Sequence, residues 1–162
     1  MPGAFKYHTG YGAGGTIVHV PEENRMVYVR DDGVFDASIE KIWKYLQDPE
    51  SHQHESILSQ KVLEQKGNTM KIRAEIKGPQ GKSEEIWQMR MDPPFGFELQ
   101  VLEGPSKGSK QAHTYVPMGD KTKVIVVGDF HRQGASDEDV RKGTLAYFEQ
   151  VFNEDNAALE DF

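Results

Sequence analysis

The stretch VFDASIEKIWKYLQDPESHQH, residues 34–54, decides the fold of this chain. Four of its apolar residues recur at i, i+3, i+4 and i+7, which is the spacing of one helix face. These residues are Ile39, Ile42, Trp43 and Leu46. A helix over residues 38–47 is therefore predicted, with Asp36 or Ser38 as its cap. We expect Trp43 and Leu46 to lie in the core.

Asp48 and Pro49 end this helix and begin a second short helical turn, because aspartate caps helices well and proline suits the first helical position. That turn carries His52 and His54. Side chains two residues apart on a helix point about 200° away from each other. Both histidines therefore face one site only if the backbone there is irregular.

Upstream of this stretch, two runs rich in β-branched residues predict a hairpin, over residues 16–20 and 26–35. Residues 1–15 are rich in glycine and tyrosine, and we expect them to form a flexible arm. Residues 16–162 are expected to form one domain, because a chain of 162 residues has the usual size of a single domain.

Downstream of residue 57 the pattern is that of strands. Met70, Ile72, Ala74 and Ile76 alternate with charged residues, and this period of two is typical of a half-buried strand. Glycine- and proline-rich turns separate such runs at short, regular intervals, which predicts consecutive antiparallel strands. Six strands are expected, over residues 57–66, 69–77, 82–91, 95–103, 109–117 and 122–131.

One long helix is predicted from Ser136, its cap, to the end of the chain. When this helix is wound at 100° per residue, Asp155 falls in the middle of the apolar stripe. The other late acids, Glu149, Glu154, Glu160 and Asp161, fall on the outer side. A carboxylate that faces the core is costly unless it is paired, hydrogen-bonded, protonated or bound to a metal. Asp155 is thus either a satisfied structural carboxylate or a functional one.

The charge and composition exclude several classes of function. The chain has 19 basic and 26 acidic residues, so neither nucleic acid nor an anionic membrane is expected as a partner. With no cysteine, it forms no disulfide, thiolate nucleophile or iron–sulfur centre held by sulfur. No apolar run approaches the ~18 residues of a membrane span, and the first residues have no signal-peptide core. A cytoplasmic protein is expected.

The order of these elements resembles the helix-grip fold. Residues 34–52 resemble the opening of the SRPBCC (START and polyketide-cyclase-like) superfamily, and the turn YVPMGDKT at 115–122 resembles its last hairpin. The resemblance implies an α+β fold with a curved antiparallel sheet wrapped around a long C-terminal helix and two short helices after the first strand. It also implies a deep apolar cavity between the sheet and the last helix.

A narrower resemblance covers residues 151–160, VFNEDNAALE, which are similar to the end of the catalytic domain of Rieske non-haem oxygenases. This resemblance implies a mononuclear iron held by His52, His54 and Asp155. The sequence departs from the family's D-x-x-H-x-x-x-x-H spacing, since Asp48 and His52 are four apart and His54 follows by two. The cysteine-and-histidine Rieske domain is absent from this sequence, so we do not expect a complete oxygenase, whereas a relict or separate metal site stays open.

Three functions follow as hypotheses. The first is a carrier that sequesters a hydrophobic small molecule (a lipid, polyketide or aromatic compound) without a cofactor. Its expected ligand-binding residues are Trp43, Trp87, Phe97, Tyr115, Phe148 and Asp155. The second is an enzyme, either a cyclase or an oxygenase-like domain with iron at His52, His54 and Asp155. The third is a protein-interaction module that uses the acidic outer face of the last helix. A homodimer is left open.

Overall fold

The computed structural model describes residues 25–48, 52–79 and 81–162. These residues form seven strands and two helices. In chain order the elements are β1 (Val27–Phe35), α1 (Ile39–Leu46), β2 (Ile57–Lys66), β3 (Thr69–Gly78), β4 (Gly81–Asp92), β5 (Gly96–Glu103), β6 (Lys110–Met118), β7 (Lys121–Phe130) and α2 (Asp137–Asp161). The expected arm at 1–15 and the expected strand at 16–20 lie outside the described residues.

The strands form one antiparallel sheet in the order β1-β7-β6-β5-β4-β3-β2. The predicted run of six consecutive antiparallel strands is confirmed, because each strand from β2 to β7 pairs with the next. The first strand closes the order by pairing with the last, with Val27 opposite Phe130. The sheet is curved and carries the long C-terminal helix, so the predicted helix-grip, α+β fold is confirmed.

Helix α1 begins where the sequence predicts. The Ser38 hydroxyl accepts the Lys41 amide, which makes Ser38 the cap, and Ile42 and Trp43 are buried. Tyr45 is only 1% exposed, whereas Leu46 is half-buried. Leu46, which we expect to be buried in the core, is only partly buried and packs against the edge of the core cluster, because the helix turns Tyr45 further into the interior.

The predicted second short helix is not seen in the described residues. Residues 49–51 lie outside the description, and residues 52–54 belong to neither a helix nor a strand. A single helical hydrogen bond remains there, from the His52 amide to the Asp48 carbonyl at 2.9 Å. The irregular backbone that both histidines need in order to face one site is therefore present.

Helix α2 packs mainly on β1, the edge strand beside β7. Glycine at position 33 permits this approach, since a Cβ atom there would lie 2.6 Å from the Phe152 ring. The same ring stacks on Phe35, with 4.7 Å between the ring centroids. The contact between helix and sheet is thus fixed near the C-terminal end of α2.

The interior contains two clusters of buried apolar residues. The larger joins α1, α2, β1, β6 and β7, and includes Trp43, Tyr45, Tyr115, Phe148 and Leu159. The smaller lies on the central strands β3, β4 and β5 and comprises Ile72, Ala74, Trp87, Leu99 and Val101. Among the described residues, no helix is both long and apolar enough to cross a membrane.

Candidate metal and ligand site

Three side chains of types that can bind a metal ion, His52, His54 and Asp155, converge between α1 and the C-terminal end of α2. The Nε2 atoms of His52 and His54 are 3.1 Å apart. The Asp155 Oδ1 atom lies 3.7 Å from the first and 3.5 Å from the second. Within the described ranges, these residues form the one group of three or more histidine, aspartate and glutamate side chains whose ligand atoms lie close together, within 4.8 Å of one another.

The predicted inward orientation of Asp155 is confirmed. Asp155 is buried, with 8% of its surface exposed, whereas Glu149, Glu160 and Asp161 face the solvent. Its Oδ1 atom accepts a hydrogen bond from the Tyr45 hydroxyl at 2.7 Å. Tyr45 was not among the predicted site residues, because it lies off the i, i+3, i+4, i+7 face of α1. Tyr45 lies three residues after Ile42, and this helical spacing could have indicated that Tyr45 is also near the buried face.

Glu154 lies toward the outer side of α2, as its helical angle predicts, but it is only partly exposed. Its side chain is 26% exposed, and its Oε2 atom accepts the Nδ1–H of His54 at 2.7 Å. Its second oxygen accepts the Gln150 amide at 2.8 Å. The irregular segment at 52–54 partly covers Glu154 through His54, and this contact is not visible in the helical periodicity.

Burial sets the electrostatics of the cluster. It lowers the pKa of His52 to about 4, and the neighbouring His54 contributes in the same direction. It raises the pKa of Asp155, although the charge of His54 and the hydrogen bond from Tyr45 oppose the rise. At neutral pH, His52 is therefore a neutral imidazole with a lone pair available for a ligand.

The spacing of the three atoms resembles that of a metal site. Imidazole nitrogen and carboxylate oxygen bind divalent transition metals at about 2.0–2.2 Å, so two ligands at 90° to 109° are about 2.8–3.6 Å apart. The observed separations of 3.1, 3.5 and 3.7 Å agree with this range within a few tenths of an ångström. Two imidazoles and one carboxylate form the donor set of non-haem iron(II) sites with open positions. The residues therefore fit such an ion.

Aromatic side chains lie beside this cluster. Trp43 donates its indole N–H to the Pro94 carbonyl at 2.8 Å and packs edge-on against Tyr115, with ring centroids 5.6 Å apart. His113 stacks on Phe97 at 4.2 Å. Burial lowers the pKa of His113 to about 3, with His52 adding to the effect. The predicted residues Trp43, Phe97 and Tyr115 thus lie together, and the charge of Asp155 adds to the effect of burial in raising the pKa of Tyr115.

Two other predicted ligand-binding residues, Phe148 and Trp87, have different neighbours. Phe148 packs edge-on against Phe130, in the same core cluster. Trp87 belongs to the smaller cluster and donates its indole N–H to Glu85 Oε2 at 3.1 Å. Glu85 is itself buried, at 7% exposed, and was not predicted. The structure therefore separates Trp87 from the residues around Asp155.

A surface pocket of about 190 Å³ opens near the Glu154 side of the cluster. It is lined by Glu55, Ser56, Lys77, Gly78 and Gln150. Gln150 connects it to the cluster, because the same side chain donates to Glu154. The lining is polar and includes two charged side chains, so this pocket is distinct from the apolar interior.

Comparisons with known proteins identify the fold. No protein-family model and no curated protein matches the sequence. A START superfamily protein from Mycobacterium smegmatis matches with a TM-score of 0.74 and 17% identity, over 83% of this chain and 97% of that one. The ZhuI aromatase/cyclase from a Streptomyces species matches at 0.66 and 16%, over 83% and 92%. A protein from Thermus thermophilus matches at 0.72 and 15%, over 83% and 97%.

These similarities establish the START-type helix-grip fold over most of the chain. Identities of 15–17% show the fold alone, since one fold supports many unrelated functions. The function therefore depends on the chemistry of the site.

Proposed function

We propose that this protein binds a hydrophobic small molecule in the interior of the helix-grip fold, next to a divalent metal ion held by His52, His54 and Asp155. The observation that carries the proposal is the convergence of three ligand atoms within 4.8 Å of one another. Iron(II) is the ion that this donor set favours. The protein would then be a metal-dependent enzyme acting on a lipid, polyketide or aromatic substrate.

The surroundings of the buried Asp155 carboxylate support a bound metal ion. Asp155 is 8% exposed, and the side chains that contact its carboxylate are the Tyr45 phenol and two histidines. No lysine or arginine pairs with it among the described residues. A buried carboxylate without a positive partner is costly, because desolvation penalises its charged form. A bound divalent ion removes that cost and uses the lone pairs of both imidazoles.

The residues around the cluster have separable tasks in this proposal. Tyr45 fixes Asp155 through one of its oxygens. Trp43, Phe97 and Tyr115 provide an apolar aromatic wall for the substrate, since aromatic side chains line most small-molecule sites. A metal ion with three protein ligands keeps open positions and supplies Lewis-acid or oxygen-binding chemistry. The residues themselves bind the substrate, orient it and exclude water.

A cobalt titration tests the metal site. Tag-free protein is stripped with a chelator and titrated with Co²⁺ while the visible absorption is followed. We expect one equivalent to bind, and His52→Ala, His54→Ala and Asp155→Ala each to abolish binding with the fold retained by circular dichroism. His131→Ala is the control, because His131 contacts the Arg25 carbonyl outside this cluster. Absence of binding by the parent protein, or unchanged binding by the three variants, contradicts the proposal.

A dye-binding experiment tests the hydrophobic ligand. Fluorescence of 1-anilinonaphthalene-8-sulfonate should increase when the dye enters an apolar interior, and Phe97→Ala should weaken its binding. Phe95→Ala is the matched control, because Phe95 is 67% exposed and lies two residues away. Equal effects of the two variants would show that the dye binds the outer surface.

A metal-free cyclase or carrier is the second candidate. It is favoured by one observation, the pair formed by neutral His52 and Asp155, whose pKa is raised by burial. Such a pair suits general acid–base catalysis. In that case Co²⁺ does not bind, while Asp155→Asn still abolishes turnover or ligand binding. The cytoplasmic location, the homodimer and the interaction module stay predictions.

A further inference from the structure

We propose that Glu154 is a positioning residue for the metal centre: it orients His54 through a carboxylate–histidine–metal arrangement and supplies the second negative charge that balances a divalent ion. This inference rests on the proposed metal site. It concerns a residue that neither contacts the ion nor lies on the apolar stripe of α2.

The hydrogen-bond directions lead to this role. An ionised carboxylate only accepts, so the 2.7 Å contact with Glu154 fixes the hydrogen of His54 on Nδ1. In the neutral imidazole the lone pair is then on Nε2. That atom is the one that points at His52 Nε2 and Asp155 Oδ1, at 3.1 and 3.5 Å. Metal-bound histidines in proteins are generally held in this way by an outer carboxylate or carbonyl.

Glu154 is itself held in place. Gln150, one turn earlier on α2, donates to its Oε1 atom at 2.8 Å, while His54 occupies Oε2. Both oxygens are therefore engaged, and the carboxylate has a defined orientation. Asp155 is the next residue along α2. The same helical turn therefore provides one proposed ligand, Asp155, and the residue that orients another, His54.

The charge count gives an independent reason. Two neutral imidazoles and one carboxylate leave a bound divalent ion with a net charge of about +1 in a poorly hydrated site, which is unfavourable. The adjacent Glu154 carboxylate brings the local sum to zero. A neutral amide at this position would keep the hydrogen bond to His54 but leave that charge unbalanced.

The test compares Glu154→Gln and Glu154→Ala with the parent chain in Co²⁺ titrations of the stripped, full-length protein. We expect Glu154→Ala to lower Co²⁺ affinity roughly 10- to 100-fold, the usual range for outer-shell partners, and to shift the visible Co²⁺ bands. Glu154→Gln should also weaken binding, but less than Glu154→Ala does, because it loses the charge and keeps an acceptor for His54. Glu149→Ala is the matched control, since it removes an exposed acid from the same helix.

The outcomes separate this inference from the metal site itself. If the parent protein binds no Co²⁺, the proposed function fails. If the parent binds and Glu154→Gln matches it in affinity and spectrum while only Glu154→Ala is weakened, the hydrogen bond to His54 suffices and the charge-balancing part of the inference is overturned. Equal affinity of Glu154→Ala and Glu149→Ala also overturns it.

Discussion

Among the residues that the structure describes, two acidic residues are buried, and their surroundings differ. Asp155 lies at the metal end, which we define as Tyr45, His52, His54, Glu154 and Asp155. Its carboxylate faces two imidazoles and a phenol. Glu85 lies at the glutamate end, defined as Glu85 and Trp87 on β4, where an indole N–H donates to it at 3.1 Å. Both residues are less than 9% exposed.

The difference shows that burial of a carboxylate does not by itself identify a functional site. Burial raises the pKa of both groups. At the metal end, three potential ligand atoms lie within 4.8 Å of one another, so the proposed cation would stabilise the arrangement. At the glutamate end, the Trp87 and Ser106 hydrogen bonds and the charge of Arg132 partly offset the desolvation. Glu85 is thus a buried acid compensated by the protein's own groups.

The largest expected effect is on metal binding. Asp155→Asn should weaken Co²⁺ binding by more than about 100-fold, because the loss of a direct ligand exceeds the loss of an outer one. Glu85→Gln, the matched carboxylate-to-amide change at the other end, should leave the affinity unchanged. Isothermal titration calorimetry measures both. A comparable loss in the two variants would show that the comparison between the two ends is wrong.

The next effect concerns the two buried indoles. Trp87→Phe should lower the free energy of unfolding by about 2–3 kcal/mol, because it removes a donor from a buried carboxylate. Trp43→Phe loses the same ring volume but only a bond to the neutral Pro94 carbonyl, so we expect about 1 kcal/mol less destabilisation than for Trp87→Phe. Urea unfolding measures both.

A double variant checks the cause of that difference. Trp87→Phe combined with Glu85→Gln should recover most of the loss, because no charge is then left without its donor. A loss equal to the sum of the single effects would mean that Trp87 acts through packing alone.

The aromatic core beside the metal end should also make the protein sensitive to acid. Burial lowers the pKa of His113 to about 3, from an ordinary value of 6.5. Between these two pH values His113 is protonated in the unfolded chain but neutral in the folded chain. The free energy of unfolding therefore falls as the pH decreases from 6.5 toward 3. His113→Asn should flatten this fall, by about 1–2 kcal/mol at about pH 5. His131→Asn serves as the control, and an unchanged acid slope in His113→Asn would contradict the prediction.

Much of the fold could be predicted from the sequence, because periodicity reports which face of an element is buried. The alternation around Ile72 and the helical spacing around Ile42 correspond to β3 and α1. Asp155 could be placed in the interior for the same reason. The sequence did not predict that the backbone at 52–54 is irregular, since that depends on how the segment packs against α2.

The contacts of Tyr45, Glu154 and Glu85 were missed for related reasons. Each of these side chains is polar or off the apolar face of its element, so a pattern of hydrophobicity assigns it to the surface. Tertiary hydrogen bonds to Asp155 and His54, and a bond to Trp87 on the same strand, engage them instead. Helical periodicity identifies an acid inside an apolar stripe, but not an acid that a distant segment contacts through a hydrogen bond.

The smallest expected effect is a gain in stability from Glu85→Gln at the glutamate end. The contribution of Glu85 to stability depends on pH in the opposite direction to that of His113. Burial raises the pKa of Glu85 above its ordinary value of 4.5. The folded chain therefore holds a proton more tightly than the unfolded chain, so the contribution of Glu85 is favourable below pH 4.5 and is lost as the pH rises through the folded pKa. Glu85→Gln keeps an oxygen that accepts the Trp87 N–H but has no charge to bury.

At about pH 7 this variant should be more stable than the parent by about 1 kcal/mol, since replacing a buried charge with a neutral group is often stabilising. At about pH 4 the advantage should disappear, because the parent carboxyl is then protonated. Thermal unfolding at the two pH values measures the difference, and Glu103→Gln, an exposed acid on β5, should change neither value. A destabilised Glu85→Gln at neutral pH would mean that the charge of Glu85 is needed in the folded protein, and the two ends would then share one property: each would hold a carboxylate whose charge the structure uses.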